Sequence, residues 1–220
     1  MARPRLLDLF CGAGGATKGY QQAGFYVVGV DIRPQPRYCG DEFMQMDALR
    51  HIEYGVDTAG FDAIHASPPC QSYSKTRAIL RGKGLTTKYE PLIEQTRALL
   101  QLSGLPWVME NVPGAPLNNM LTLCGTQFGL GVLRHRDFET NWLVWSPSPC
   151  QHEPGGTNSH RGYSRGARYI TVGGHNYNTT EGKAAMDIDW MTRDELNEAI
   201  PPAYTEYIGR QLMATLERVA

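Results

Sequence analysis

Arg5-Leu-Leu-Asp-Leu-Phe10 is an apolar run broken by one acid, and it passes directly into a glycine-rich loop. A short run of this kind reads as a buried strand. Residues 16 to 23 have helical texture, and Tyr26 to Val30 form a second apolar run that ends at Asp31. Strand, loop, helix, strand and acid in this order open a doubly wound sheet. Phe61 to Ala66 predicts a further strand, stopped by Ser67-Pro68-Pro69 because proline cannot donate to a ladder. Over residues 89 to 102, Leu92, Ile93, Thr96, Leu99 and Leu100 recur at helical spacing and predict an amphipathic helix. Trp107-Val108-Met109 predicts another strand, ending at Glu110-Asn111-Val112-Pro113. This alternation implies an α/β fold, a mostly parallel sheet with helices on both faces. Right-handed crossovers then place the strand ends on one edge.

From about Ser146 to Asp189 the pattern dissolves into Pro, Gly, Ser, Asn, His and Tyr, with Tyr169 to Val172 as the only strand-like run. Thr192-Arg-Asp-Glu195 has the form of a capping box, and Thr205 to Val219 reads as a closing helix. The expected organisation is one α/β domain over 1–145 and 191–220, with a small loop-rich insert over 146–190.

Composition narrows the class. The chain has 220 residues, 41% hydrophobic and 20% charged, which excludes a disordered chain. No run reaches the roughly 18 apolar residues of a spanning helix, so no membrane is expected. Met1-Ala-Arg-Pro-Arg5 leads into the first strand without a secretory apolar region, which points to an intracellular protein. A net charge of −1 argues against a broadly basic nucleic-acid coat and leaves a local groove open. Five dispersed cysteines make a poor disulfide framework and leave room for a reactive thiol. Cys150 and His152 form a C-x-H pair with His160 beyond it; these are too few well-spaced ligands, and no metal site is expected.

Four constellations carry chemistry. In Asp8-Leu-Phe-Cys-Gly-Ala-Gly-Gly15 the glycines follow a strand and precede a helix, so the backbone can approach a ligand; a plain tight turn is the alternative. The spacing is not GxGxxG, which disfavours a pyrophosphate cofactor. Asp31 at the next strand end can accept from ribose hydroxyls, and Asp47 from an adenine edge, or both are solvated acids. Cys70, after two prolines at a strand end, is either a nucleophile on a stiff loop or a buried structural cysteine. Glu110 at another strand end can donate a proton if burial raises its pKa, or it caps or pairs. Arg134 and Arg136, two apart on an expected strand, share a face and suit a base carbonyl or phosphate; surface ion pairing is the alternative.

Together, in this order, these segments resemble the DNA cytosine-C5 methyltransferase family. Asp8 to Gly15 is similar to its cofactor loop, and Ser67-Pro-Pro-Cys-Gln-Ser-Tyr-Ser74 to its catalytic loop. Glu110-Asn111-Val112, Arg134-His135-Arg136 and Ala199-Ile200-Pro201-Pro202 are similar to three further motifs. The resemblance leaves out roughly residues 146 to 190, and the compact build resembles phage or prophage members.

The resemblance implies a Rossmann-like S-adenosylmethionine-dependent enzyme that methylates C5 of a flipped-out cytosine in double-stranded DNA and releases S-adenosylhomocysteine. Cys70 would attack C6, Glu110 would act at N3, Arg136 would hold O2, and Arg134 would assist. The cofactor would lie along Phe10, Gly12, Ala13, Gly14 and Gly15, with Asp31 on the ribose and Asp47 on the adenine. Pro69, Ala199 and Ile200 would close the pocket. The basic stretch 74–88 is either an ordinary solvated loop or a mobile arm whose Ser74, Lys75, Arg77, Arg81 and Lys83 touch DNA, and Arg161, Arg165 and Arg168 in the insert, the expected target-recognition region, would touch it as well. No segment calls for an obligate protein partner. The sequence departs from the family pattern at Ala66-Ser67, where a glycine pair is usual. Asp31 stands for a common Glu, Val132 for a Gln, and Glu198 for an Asn.

Overall fold

The computed structural model describes residues 2–53, 58–73, 91–152, 169–175 and 177–217. Seven strands form one sheet: β1 (Arg5–Leu9), β2 (Tyr26–Asp31), β3 (Glu42–Gln45), β4 (Ala63–Ala66), β5 (Trp107–Asn111), β6 (Leu121–Leu123) and β7 (Arg136–Thr140). Their order is β3-β2-β1-β4-β5-β7-β6. The first five pair in parallel, and β7 runs antiparallel to both β5 and β6. The helices are α1 (Gly15–Gln22), α2 (Ala48–Glu53), α3 (Ile93–Leu102), α4 (Thr179–Met186), α5 (Arg193–Glu198) and α6 (Pro202–Leu216).

Both sheet faces are covered, which is why the parallel strands read as apolar runs without alternation. Leu7, Leu9, Ile64 and Met109 pack with Ile93 and Leu100 of α3 on one face. Leu6 and Val27 meet Tyr20, Phe25 and Leu212 on the other, where Val108 and Phe138 pack with Tyr204 and Ile208 of α6. The chain leaves β1 toward β2 on one side and reaches β4 on the other. The crevice between the ends of β1 and β4 is therefore the switch point where ligands bind in open sheets.

Three features escaped the hydrophobic pattern. The strands β3 and β6 are short, and β7 (Arg-Asp-Phe-Glu-Thr) looks polar because its buried acids are paired inside the protein. Asp137 accepts from the Thr122 hydroxyl at 2.7 Å. The insert holds α4, capped by the Asn178 side chain, of which only Gly182 and Met186 are buried, too few to show a period. Among the described residues, the run Tyr169–Val172 pairs through an isolated bridge, Ile170 with Val132, and forms no strand. The closing helix begins at Pro202 because proline fits the first helical position.

Arg97 is buried on α3, beside Ile93 and Leu100. Its guanidinium donates to both carboxylate oxygens of Glu139 at 2.8 Å and to the Pro116 carbonyl at 2.6 Å. Glu139 also accepts from the Asn118 N–H at 2.8 Å. Removing one partner would strand a buried charge, so Arg97→Ala is expected to cost about 3–5 kcal/mol in urea unfolding. Arg97→Met with Glu139→Leu should recover most of that loss; equal destabilisation by single and double variants would contradict the account.

Candidate active site

An open cleft of about 920 Å³ lies at the C-terminal edge of the parallel strands. Phe10, Gly12, Ala13, Gly15, Asp31, Asp47, Pro69, Cys70, Glu110, Arg136, Ala199 and Ile200 all line it. Segments far apart in sequence thus converge, as the strand-end argument required.

One wall is the loop after β1. Phe10, Gly12 and Gly14 have positive φ, at 59°, 52° and 90°. A Cβ on Gly12 would meet nothing within 4 Å, so that backbone stands open for a ligand. A Cβ on Gly15 would lie 2.5 Å from the Ile200 carbonyl, which explains why the segment Ala199–Ile200 can close against this loop. Gly14 does not line the cleft; it caps α1 in a left-handed turn, and its carbonyl accepts from the Cys39 thiol. Trp190 Nε1 donates to the Ala13 carbonyl at 2.9 Å and ties the loop to the C-terminal segment.

Asp31 accepts from the Gly12 N–H at 3.0 Å and the Arg33 N–H at 2.9 Å. Asp47 accepts from the Leu49 N–H at 3.0 Å at the start of α2. Ile32, 66% exposed beside Asp31, lines the same rim. Glu198, where the resemblance would place Asn, pairs with Arg33 at 3.1 Å across this rim. Both side chains are largely exposed, so the pair contributes little stability and mainly sets local charge.

Beneath the loop, Asp8 is fully buried, and burial pushes its carboxyl up to about 7 despite the hydrogen bond donated by the Thr17 hydroxyl. Its Oδ1 has no hydrogen-bond partner among the described residues, and the residue lines the cleft floor. An orphaned acceptor there suits a ligand that carries hydrogen-bond donors. The sequence reading missed Asp8 because an acid inside an apolar strand gives no sign of where it points.

The opposite wall carries the reactive groups. Pro68 and Pro69 lead into a 3₁₀ turn that begins at Cys70. Asn111 Nδ2 donates to the Pro68 carbonyl at 2.8 Å, so β5 pins the stiff loop. The Cys70 thiol is half-buried. Burial pushes its pKa up, Arg136 pulls it back, and the Glu110 carboxylate pushes it up again.

Glu110 is 6% exposed, and burial raises its pKa against the pull of Arg136, Arg134 and a hydrogen bond from Ser67. Arg136 Nε lies 2.9 Å from Glu110 Oε1. The contact is electrostatic without hydrogen-bond alignment, so Oε1 keeps its hydrogen-bonding capacity. Behind Glu110 runs a polar chain that no linear motif revealed. Ser67 Oγ is 2.8 Å from His65 Nε2, and His65 Nδ1 is 3.0 Å from the Tyr20 hydroxyl. Burial pulls His65 down to about 3, so its ring is neutral. With Tyr20 donating to Nδ1, Nε2–H donates to Ser67, whose hydroxyl is then directed at Glu110.

Arg134 requires a correction. It precedes β7, does not line the cleft with Arg136, and is 6% exposed. Its guanidinium donates to the Val172 and Asn197 carbonyls, each at 2.7 Å. Strand alternation did not apply because Arg134 lies before the first residue of β7; the residue joins the insert and α5 to the catalytic wall. The expected DNA contacts Ser74, Lys75, Arg77, Arg81, Lys83, Arg161, Arg165 and Arg168, and His160, lie outside the described residues.

With this geometry in hand, comparison with known proteins is specific. The model of the C-5 cytosine-specific DNA methylase family matches residues 4–120. Type II methyltransferase M.XorII of Xanthomonas oryzae is 30% identical over 131 residues, covering 52% of this chain and 29% of that protein. Type II methyltransferase M.AgeI of Thalassovita gelatinovora is 25% identical over 164 residues, covering 61% of this chain and 38% of that protein. The chain thus spans about a third of the length of the curated relatives it matches. The structure of the S. pombe Dnmt2 methyltransferase superposes with a TM-score of 0.64 at 15% identity, over 98% of this chain and 99% of that one, which supports the same fold. On the extent of the family match, the chain belongs to the C-5 cytosine-specific DNA methylase family.

Proposed function

We propose that this chain is a DNA cytosine-C5 methyltransferase that uses S-adenosylmethionine and a covalent Cys70–C6 intermediate on a flipped-out base. One observation carries the reading: Cys70, Glu110 and Arg136 line the same cleft as the open glycine loop and Asp31.

The residues present fit the cofactor. The open Gly12 backbone, the Asp31 carboxylate, the orphaned Asp8 acceptor and the apolar Ile32 side chain suit a polar, nucleoside-bearing molecule. Asp31 would hold the ribose and Asp47 the adenine amino group. When bound, S-adenosylmethionine supplies an electrophilic methyl on a sulfonium. Cytosine C5 is too poor a nucleophile to accept it unaided, so the protein must enrich the ring in electrons. The Cys70 thiolate does this by adding at C6; once C5 has taken the methyl, loss of the C5 proton to a base or water breaks the C6–S bond, releases Cys70 and restores the ring. Glu110, whose pKa burial raises, donates to N3 in its protonated form and draws charge as the sulfur adds. Arg136 orients Glu110 and offers its remaining N–H groups to the base carbonyl. Arg134 positions this wall through the backbone carbonyls it holds. A duplex hides C5 and C6 in the stack, so the base must be extruded, with DNA gripped by the basic stretch 74–88 and by region 146–190.

Incubation with methyl-labelled S-adenosylmethionine and duplex DNA, followed by nucleoside analysis, should yield 5-methylcytosine. Label in RNA alone, or in adenine, would overturn the substrate assignment.

A further inference from the structure

Four potential metal ligands from three stretches of chain meet behind the catalytic wall. Cys124 follows β6 and opens the 3₁₀ turn Gly125–Phe128. His135 stands between Arg134 and Arg136. Cys150 and His152 lie where the described chain reaches the insert. Their ligand atoms all fall within 4.8 Å of one another. His135 Nε2 is 3.4 Å from His152 Nε2. Cys150 Sγ is 3.5 Å from His152 Nε2 and 3.7 Å from His135 Nε2.

The three separations among His135, Cys150 and His152 match one geometry. Zinc binds sulfur at about 2.3 Å and imidazole nitrogen at about 2.0–2.1 Å, so the edges of its tetrahedron run from about 3.3 Å between nitrogens to about 3.8 Å between sulfurs. The His135 and His152 rings meet edge to face at 74°, with both Nε2 atoms close to the two sulfurs. Cys124 is 1% exposed, and all five cysteines of the chain are free thiols. Two soft sulfurs and two imidazoles gathered within 4.8 Å favour zinc over oxygen-seeking cations.

We propose that Cys124, His135, Cys150 and His152 bind one zinc ion in a closed Cys₂His₂ site that fastens the insert to the catalytic sheet. All four positions come from protein, so the ion is structural, with no place for a reacting water. The site adds a second anchor to the apolar cluster in which Ile170, Val172, Met186 and Ile188 of the insert pack with Val132. It anchors the chain entering residues 153–168, and through His135 it fixes the segment that presents Arg136 to Glu110. The sequence reading counted only Cys150, His152 and a remote histidine. The missing ligands sit one after β6 and one before β7, and only the antiparallel pairing of those strands brings them near.

Protein expressed in zinc-supplemented medium and gel-filtered without chelator should carry about one zinc per chain by elemental analysis. Cobalt supplied in place of zinc should give the intense visible bands of a tetrahedral thiolate site. Cys150→Ser and His152→Ala should each lose most of the bound metal. His152→Cys should retain it, since three sulfurs and one imidazole also suit zinc, and Cys70→Ser should keep the full complement. Should the ligand variants fail to fold, zinc released from the intact protein on titration with a thiol-binding mercurial provides the same test. Wild-type protein without stoichiometric metal, a Cys124–Cys150 disulfide by mass spectrometry, or metal retained equally in Cys150→Ser and His152→Ala would overturn the proposal.

Discussion

Cys70→Ala is expected to abolish methyl transfer, with kcat falling at least about 10⁴-fold, because no other described thiol lines the wall with Glu110 and Arg136. Cys11 also lines the cleft, but it lies in the glycine loop on the facing wall, where burial raises its pKa far beyond physiological range. It cannot substitute as a thiolate. Binding of S-adenosylmethionine should survive, since Cys70 adds a reactive sulfur and, among the described residues, its thiol makes no hydrogen bond to the glycine loop or Asp31. The discriminating measurement is a duplex carrying 5-fluorocytosine. Wild-type protein should form a stable adduct visible by denaturing electrophoresis and mass spectrometry, and Cys70→Ala should form none. An adduct of equal yield with the variant would remove Cys70 as nucleophile. The direction with pH follows from the environment of the thiol. Its pKa is raised, chiefly by burial, so the thiolate is scarce near neutrality and grows as pH rises. Alkylation of Cys70 should therefore accelerate with pH through a midpoint above that of an unperturbed thiol.

The contrast between walls and motifs shows what the linear sequence could carry. Strands β1, β2, β4 and β5 are buried on both faces, so their apolar runs announced them and placed Asp31, Cys70 and Glu110 at one edge. The strand β7 did not announce itself, because its buried Asp137 and Glu139 are compensated by Thr122 and Arg97 from other elements, and compensation is a property of the fold. The same limit hid the chain Tyr20–His65–Ser67 behind Glu110 and the cysteine and histidine that complete the metal ligand set. Motif spacing did locate Ser67 as a departure from the family's usual glycine. What the departure does, supplying a hydroxyl to Glu110, became legible only with His65 beside it. Arg134 shows the opposite error, since an Arg-x-Arg spacing suggested two equivalent guanidiniums where one is engaged by backbone carbonyls.

Glu110→Gln separates the roles of the two titrating groups on the catalytic wall. The amide can still donate a hydrogen bond, but it cannot transfer a proton to N3, so kcat should fall about 10²–10⁴-fold. In the wild type the carboxyl pKa is raised by burial, and the donor form is lost as pH rises through it. The thiolate of Cys70 is gained as pH rises through its own raised pKa. The rate should then be bell-shaped in pH, its limbs belonging to the coupled pair and not to either residue alone. In Glu110→Gln the limb governed by the carboxyl disappears, leaving a small rate that climbs with pH. The substitution also removes the negative charge that pushes the thiol up, so Cys70 should alkylate faster than in wild type at the same pH, even as methyl transfer collapses. A purely structural glutamate would not produce that pairing: damage to the wall would slow both reactions or leave the alkylation profile unmoved. An alkylation midpoint shifted to lower pH together with the lost limb would identify Glu110 as the proton donor, and a bell-shaped profile intact in the variant would exclude it.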